Sequence, residues 1–222
     1  MTAATPAPYG YREAIAYLPE GGTLSFQLVP WDKYEKLLED LGARYKARIS
    51  YDHGKLEINM PLPIHEDYKD FLLRLMHVLT EELELDMQAL GSTTFKYKPW
   101  LEGFEPDTCF YIQNAARVIG VRRFDPNQPP PPPDIAVEID ITNESLSRFP
   151  LYANLGVPEI WRYDEHQVWM YHLTETGYVE APASRAFPLL TAEALGQFLQ
   201  RSQTEGQSAV LREFRQWVRA QL

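Results

Sequence analysis

Asp134-Ile135-Ala136-Val137-Glu138-Ile139-Asp140-Ile141 is the stretch on which the fold turns. Its length and its β-branched apolar residues fit a strand. Alternate side chains of a strand share a face, so Glu138 and Asp140 point together, away from Val137, Ile139 and Ile141. Two acids on one side of an apolar strand repel each other and resist burial unless a cation holds them. Upstream, Pro106-Asp107 heads a second apolar run, Thr108-Cys109-Phe110-Tyr111-Ile112. If the two runs are neighbouring strands, Asp107, Glu138 and Asp140 supply three oxygen donors suited to Mg²⁺ or Mn²⁺. That is the arrangement a metal-dependent phosphodiesterase needs. A wet sheet face and a simple Pro-Asp turn would give the same spacing.

Working outward, residues 1–29 read as an irregular arm with short extended pieces. A helix is expected from Pro30 through Tyr34, Leu37, Leu38 and Leu41, ended by Gly42. Arg44–Ser50 and Lys55–Met60 form a hairpin about Asp52-His53-Gly54, with His53 a solvated turn residue. A long helix from His65 to about Leu85 carries the apolar stripe Tyr68, Phe71, Leu72, Leu75, Leu79 and Leu83, with His77 a partly buried neighbour. Further strands are expected at 92–97, 108–112, 135–141, 159–163 and 168–173. A short helix over 145–155 is kinked by Pro150 and stopped by Gly156-Val157-Pro158. The prolines 129–133 make a stiff extended spacer that delivers Asp134. Two helices, 191–200 and about 208–220, close the chain.

Three blocks resemble a known family. They are Gly91-Ser92-Thr93-Thr94-Phe95-Lys96 ahead of Gly103–Ile112, the strand 134–141 running into Ser145–Tyr152, and Leu155-Gly156-Val157-Pro158-Glu159-Ile160-Trp161. Together they resemble the Uma-type family, a restriction-endonuclease-like branch of the PD-(D/E)xK nuclease superfamily. The resemblance covers roughly residues 30 to 190. It implies an α/β fold, a mixed sheet flanked by helices, and a divalent metal site. Asp107 would be the Pro-Asp acid and Glu138 the acid of the (D/E)xK element, with the Ile139 carbonyl as backbone ligand. Position 140, where the superfamily expects lysine, is Asp140. The family commonly carries a basic residue four positions before the helical tyrosine, and here Arg148 stands there, before Tyr152. Arginine stays protonated and cannot be a general base, but it can hold a phosphate bidentately. His65 would approach the site from a helix start.

Composition bounds the rest. The 222 residues, 45% of them hydrophobic, suit one ordinary nuclease-like domain over 30–190, with an arm at 1–29 and helices at 191–222 packed on the body. No apolar run approaches a membrane span, and Met1–Pro6 lack the basic region and apolar stretch of a secretory signal. One cysteine, Cys109, fits a reducing cytoplasm and a small core residue. A net charge of −10 argues against unaided nucleic-acid binding, leaving Lys96, Lys98, Arg117, Arg122, Arg123 and Arg148 to meet a DNA backbone. Two functions compete: a DNA-hydrolysing endonuclease, and a catalytically impaired relative acting as a binding or scaffold module. Trp217 on the apolar face of the last helix, with Trp161, Trp169 and Tyr171, requires that helix either to pack in a homodimer or to fold back onto its own sheet.

Overall fold

The computed structural model describes residues 10–42, 45–121, 123–141 and 146–222. Residues 1–9 of the arm, Arg44 of the hairpin, Arg122 of the basic set, and Thr142 and Ser145 of the family-like block lie outside the described residues. The chain divides into two compact units, the first comprising residues 1–63, 94–105 and 124–130 and the second 64–93, 106–123 and 131–222.

The first unit holds α1 (Tyr11–Ala16), β1 (Thr23–Phe26), α2 (Trp31–Leu41), β2 (Arg48–Asp52) and β3 (Lys55–Asn59). Trp31, Tyr34 and Leu37, at helical spacing, bury one side of α2. Gly42, at φ 71°, ends the helix in the left-handed region that glycine enters without strain. The first unit also includes β5 (Phe95–Tyr97) and β6 (Glu102–Phe104), and its antiparallel sheet runs β1-β3-β2-β6-β5. The expected irregular arm therefore contains a helix and an edge strand, β1, paired along its length with β3. Two polar positions, Thr23 and Ser25, left β1 without a readable apolar run.

The second unit is the mixed α/β layer that positions the acids. It contains α3 (Pro63–Glu82), β4 (Gln88–Ala89), β7 (Thr108–Tyr111), β8 (Ile135–Ile139), α4 (Phe149–Leu155), β9 (Glu159–Tyr163), β10 (Val168–Thr174), β11 (Gly177–Ala181), α5 (Ala192–Arg201) and α6 (Gln207–Arg219). Its sheet order is β11-β10-β9-β8-β7-β4, and only β8 and β9 pair in parallel. The expected neighbouring strands 108–112 and 135–141 are thus the antiparallel pair β7–β8. The Phe71, Leu75 and Leu79 stripe of α3 packs with Val137, Ile139, Trp161, Tyr163 and Met170 from one sheet face, and with Phe198, Val210 and Phe214 from α5 and α6. Every residue of β8 is buried, which explains its nearly unbroken apolar character.

Three expectations change. Pro150 lies in the first turn of α4, after a 3-10 turn over Leu146–Arg148. There its missing N–H removes no helical bond, so it starts the helix rather than kinking it. His77 is exposed, on the side of α3 opposite the stripe. Trp217 is partly buried against its own chain, stacked on Phe214 and meeting Phe198 edge-on, and Trp161 is core. Among the described residues, no helix is long and apolar enough to cross a membrane.

Candidate active site

Sheet register builds the site. Thr108 pairs with Val137 across β7–β8, so the next residue, Asp107, stands opposite Glu138, and its N–H donates to the Val137 carbonyl at 3.1 Å. Glu138 is the register partner of Arg162 on β9, and Arg162 of Trp169 on β10. Asp107, Glu138, Arg162 and Trp169 therefore form one row across four strands, on the face opposite the α3 core. Asp140 follows two residues beyond Glu138 on that same face.

Register puts Asp107 beside Glu138, with Asp140 beyond them on the same face, but the three do not bring ligand atoms within 4.8 Å of one another. Each has a defined partner. Asp107 Oδ2 accepts the Ile139 N–H at 2.8 Å. Glu138 Oε2 accepts Arg148 Nη2 at 2.7 Å, and its other oxygen accepts the Tyr152 hydroxyl. Asp140 Oδ2 accepts Arg162 Nε at 2.5 Å. The side chains of Glu138 and Asp140 are 2% and 1% exposed, whereas those of Arg148 and Arg162 are 13% and 10% exposed. The arginine side chains are thus somewhat more exposed than the acids they pair with.

Burial pushes Glu138 up to about 8, and the charges of Asp107 and Asp140 add to the shift against Arg148 and the Tyr152 hydroxyl. Burial disfavours the Arg148 cation, yet the Glu138, Asp107 and Asp140 charges outweigh it and hold Arg148 above its ordinary value. Burial first, and then Glu138, keep Tyr152 neutral as a donor. Like charges that act on one another in a dry site gain from a nearby cation. Buried carboxylates are donors of the kind a hard divalent ion takes, though Asp107, Glu138 and Asp140 would have to draw closer together to share one.

His65 is buried in the first turn of α3, and Asp134 pins the turn after β7 by accepting Ile112 and Asn114 N–H at 2.6 and 3.0 Å. That turn places Asp134 as an anchor of the proline spacer, not among the three acids. A different donor group lies in the first unit: Asp52, His53 and Glu102 bring ligand atoms within 4.8 Å of one another. Asp52 and Glu102 are register partners across β2–β6. His53, at 2.6 Å from Asp52, is raised from its ordinary value by that hydrogen bond. Tyr152 and Arg162 are the site residues that sequence reasoning passed over. The alternation Ile160, Arg162 against Trp161, Tyr163 was the available signal, since a cation in an otherwise apolar strand needs an anion beside it.

Buried acids on one face of the antiparallel pair β7–β8, two of them each paired with an arginine, make this row the candidate active site of a mixed α/β protein. The sequence profile of the Uma2 family, described as "putative restriction endonuclease", matches residues 31–202, and the chain belongs to this family. A crystal structure of a putative nuclease of DUF820 from Anabaena variabilis shares the fold, with a TM-score of 0.54 and 16% identity over 77% of this chain and 99% of that one. No curated protein matches the chain.

Proposed function

We propose that the chain is a Mg²⁺- or Mn²⁺-dependent endonuclease that hydrolyses DNA phosphodiester bonds. The observation that carries this is the row that buries Asp107 beside Glu138 with Arg148 on the Glu138 carboxylate. Asp107, Glu138 and the Ile139 carbonyl would hold the ion, and Asp140 contributes charge as the third acid of the set. The bound ion supplies a water of lowered pKa and charge neutralisation at the phosphate. Arg148 binds phosphate oxygens and steadies their growing charge. Tyr152 fixes the rotamer of Glu138, and His65 approaches from the start of α3. Residues 30–190 carry this activity, in a reducing cytoplasm that suits the fully buried Cys109.

The competing reading is a catalytically impaired relative that acts as a binding or scaffold module. It is favoured by Asp140 in the lysine position and by the net charge of −10. A homodimer would suit two antiparallel scissile phosphates, but the apolar face of α6 is consumed within the chain, so duplex symmetry is its remaining support. Incubating supercoiled and single-stranded DNA with each divalent ion separates the two functions. Nicking by the intact protein, lost in Asp107→Asn and Glu138→Gln, supports the enzyme. DNA binding without nicking supports the module, and nicking that survives Glu138→Ala refutes this site. Calorimetric titration of Mg²⁺ or Mn²⁺ should give heat with the intact protein and none with the double variant.

A further inference from the structure

Asp140 stands where a base-activating cation would be expected, and the fold answers it from the next strand. The parallel register of β8 and β9 brings Arg162 level with Glu138, and its Nε donates to Asp140 Oδ2 at 2.5 Å. On the other side, the Arg162 guanidinium lies 4.7 Å from the centre of the Trp169 ring. Trp169 is its register partner on β10, so the stacking is built into the sheet. An arginine clamped between a carboxylate and an indole has its orientation set before any ligand arrives, which lowers the entropic cost of binding.

Charge and depth say what that fixed group faces. Bare, the three carboxylates would repel a phosphodiester. Arg148 on Glu138 and Arg162 on Asp140 each offset one of them, and both arginine side chains are more exposed than the acids they pair with. An anion at this face finds its charge complement in the two arginine side chains. We propose that Arg162 is a second phosphate-binding residue of this site, with Asp140 as its positioning residue, holding a backbone phosphodiester of the nucleic acid beside the Asp107–Glu138 pair. This rests on the nuclease reading of the same site. It gives the acid at 140 a defined task, the orientation of a guanidinium through Nε, in place of the amine that a lysine would bring.

The test measures binding, not cleavage. A short fluorescent DNA duplex is titrated in Ca²⁺ by anisotropy at several salt concentrations, with melting curves for each protein. Arg162→Met is expected to weaken binding about tenfold and to lower the slope of log affinity against log salt by about 1, the signature of one lost phosphate contact. Arg162→Lys keeps the charge without the fork, so the slope should stay and several-fold affinity should be lost. Asp140→Asn should weaken binding by itself and add nothing in the Arg162→Met background, because it acts through that residue. Unchanged affinity and slope in Arg162→Met, with Arg148→Met still weakened, overturns the proposal and leaves the site reading standing. If Arg162→Met does not fold, Arg162→Lys decides, and unaltered affinity there overturns the proposal. An intact protein that binds no DNA overturns both.

Discussion

Replacing Phe214 by alanine tests what holds the C-terminal helices. Phe214 is fully buried, meets Phe198 edge-on at 4.9 Å and stacks on Trp217 at 5.7 Å. Removing a buried phenylalanine ring costs about 3–5 kcal/mol, through lost transfer energy and the cavity left behind. The same helix also makes ion pairs: Arg215 with Glu81 and Glu82, and Arg219 with Glu82. Surface pairs of this kind contribute roughly 0–1 kcal/mol each. The aromatic contact should therefore outweigh each single ion pair severalfold. In a chain of this size, 1 kcal/mol shifts the melting temperature by about 2–4 °C, so Phe214→Ala should lower it by roughly 6–20 °C. Arg215→Gln combined with Arg219→Gln should lower it by only a few degrees. Differential scanning calorimetry at low and high salt measures both, and the salt dependence should belong to the arginine variant. Light scattering in parallel reports whether α6 serves its own chain. A Phe214→Ala melting temperature within about 2 °C of the intact protein, less than 1 kcal/mol on that scale, would refute the view that this ring anchors α6. A change in mass without loss of stability would instead show the ring buried between copies.

Three further outcomes follow from individual contacts. Arg148→Met strands Glu138 in a buried site and should cost about 3–5 kcal/mol in urea unfolding, most of it recovered by adding Glu138→Gln, and equal costs in both backgrounds would deny the pairing. Hydrogen bonds from Arg219 and then Arg215 hold Glu82 below its ordinary value of 4.5. A lowered folded-state value means stability present above the unfolded value and lost as pH falls through the folded one. Glu82→Gln should therefore melt below the intact protein at neutral pH and converge with it in acid, whereas a constant gap would contradict the linkage. In the first unit, a Cβ at Gly103 would press into the Tyr34 ring, 2.9 Å from its Cζ. Gly103→Ala should destabilise by about 1–3 kcal/mol, and a neutral result by chemical denaturation would mean that β6 sits further from Tyr34.

The parts of the fold written in local periodicity were readable, and those written in register were not. The stripe of α3 and the buried faces of α2, α5 and α6 repeat every three to four residues, so α2, α5 and α6 fell within a residue or two of the expected bounds and α3 started two residues early and ended three short. Strand β8 announced both its own conformation and its acid face through Glu138 and Asp140. By contrast, β6 has three residues, Glu102, Gly103 and Phe104, too few to show alternation, and exists because β2 and β5 flank it. The extended piece β1 could not be bounded for a related reason: Thr23 and Ser25 are tolerated there because it is an edge strand. Asp107 and Glu138 could be found from spacing because each sits beside an apolar run, and pairing those runs is enough to bring them together. Arg162 showed only as a cation in an apolar strand, and its partner could not be named because that depends on β8 and β9 being parallel and in the register Glu138 to Arg162. Read alone, an acid at 140 looks like a lost lysine. With that register known, Asp140 and Arg162 form one unit, since an acid 1% exposed would be intolerable there without the cation that the neighbouring strand supplies.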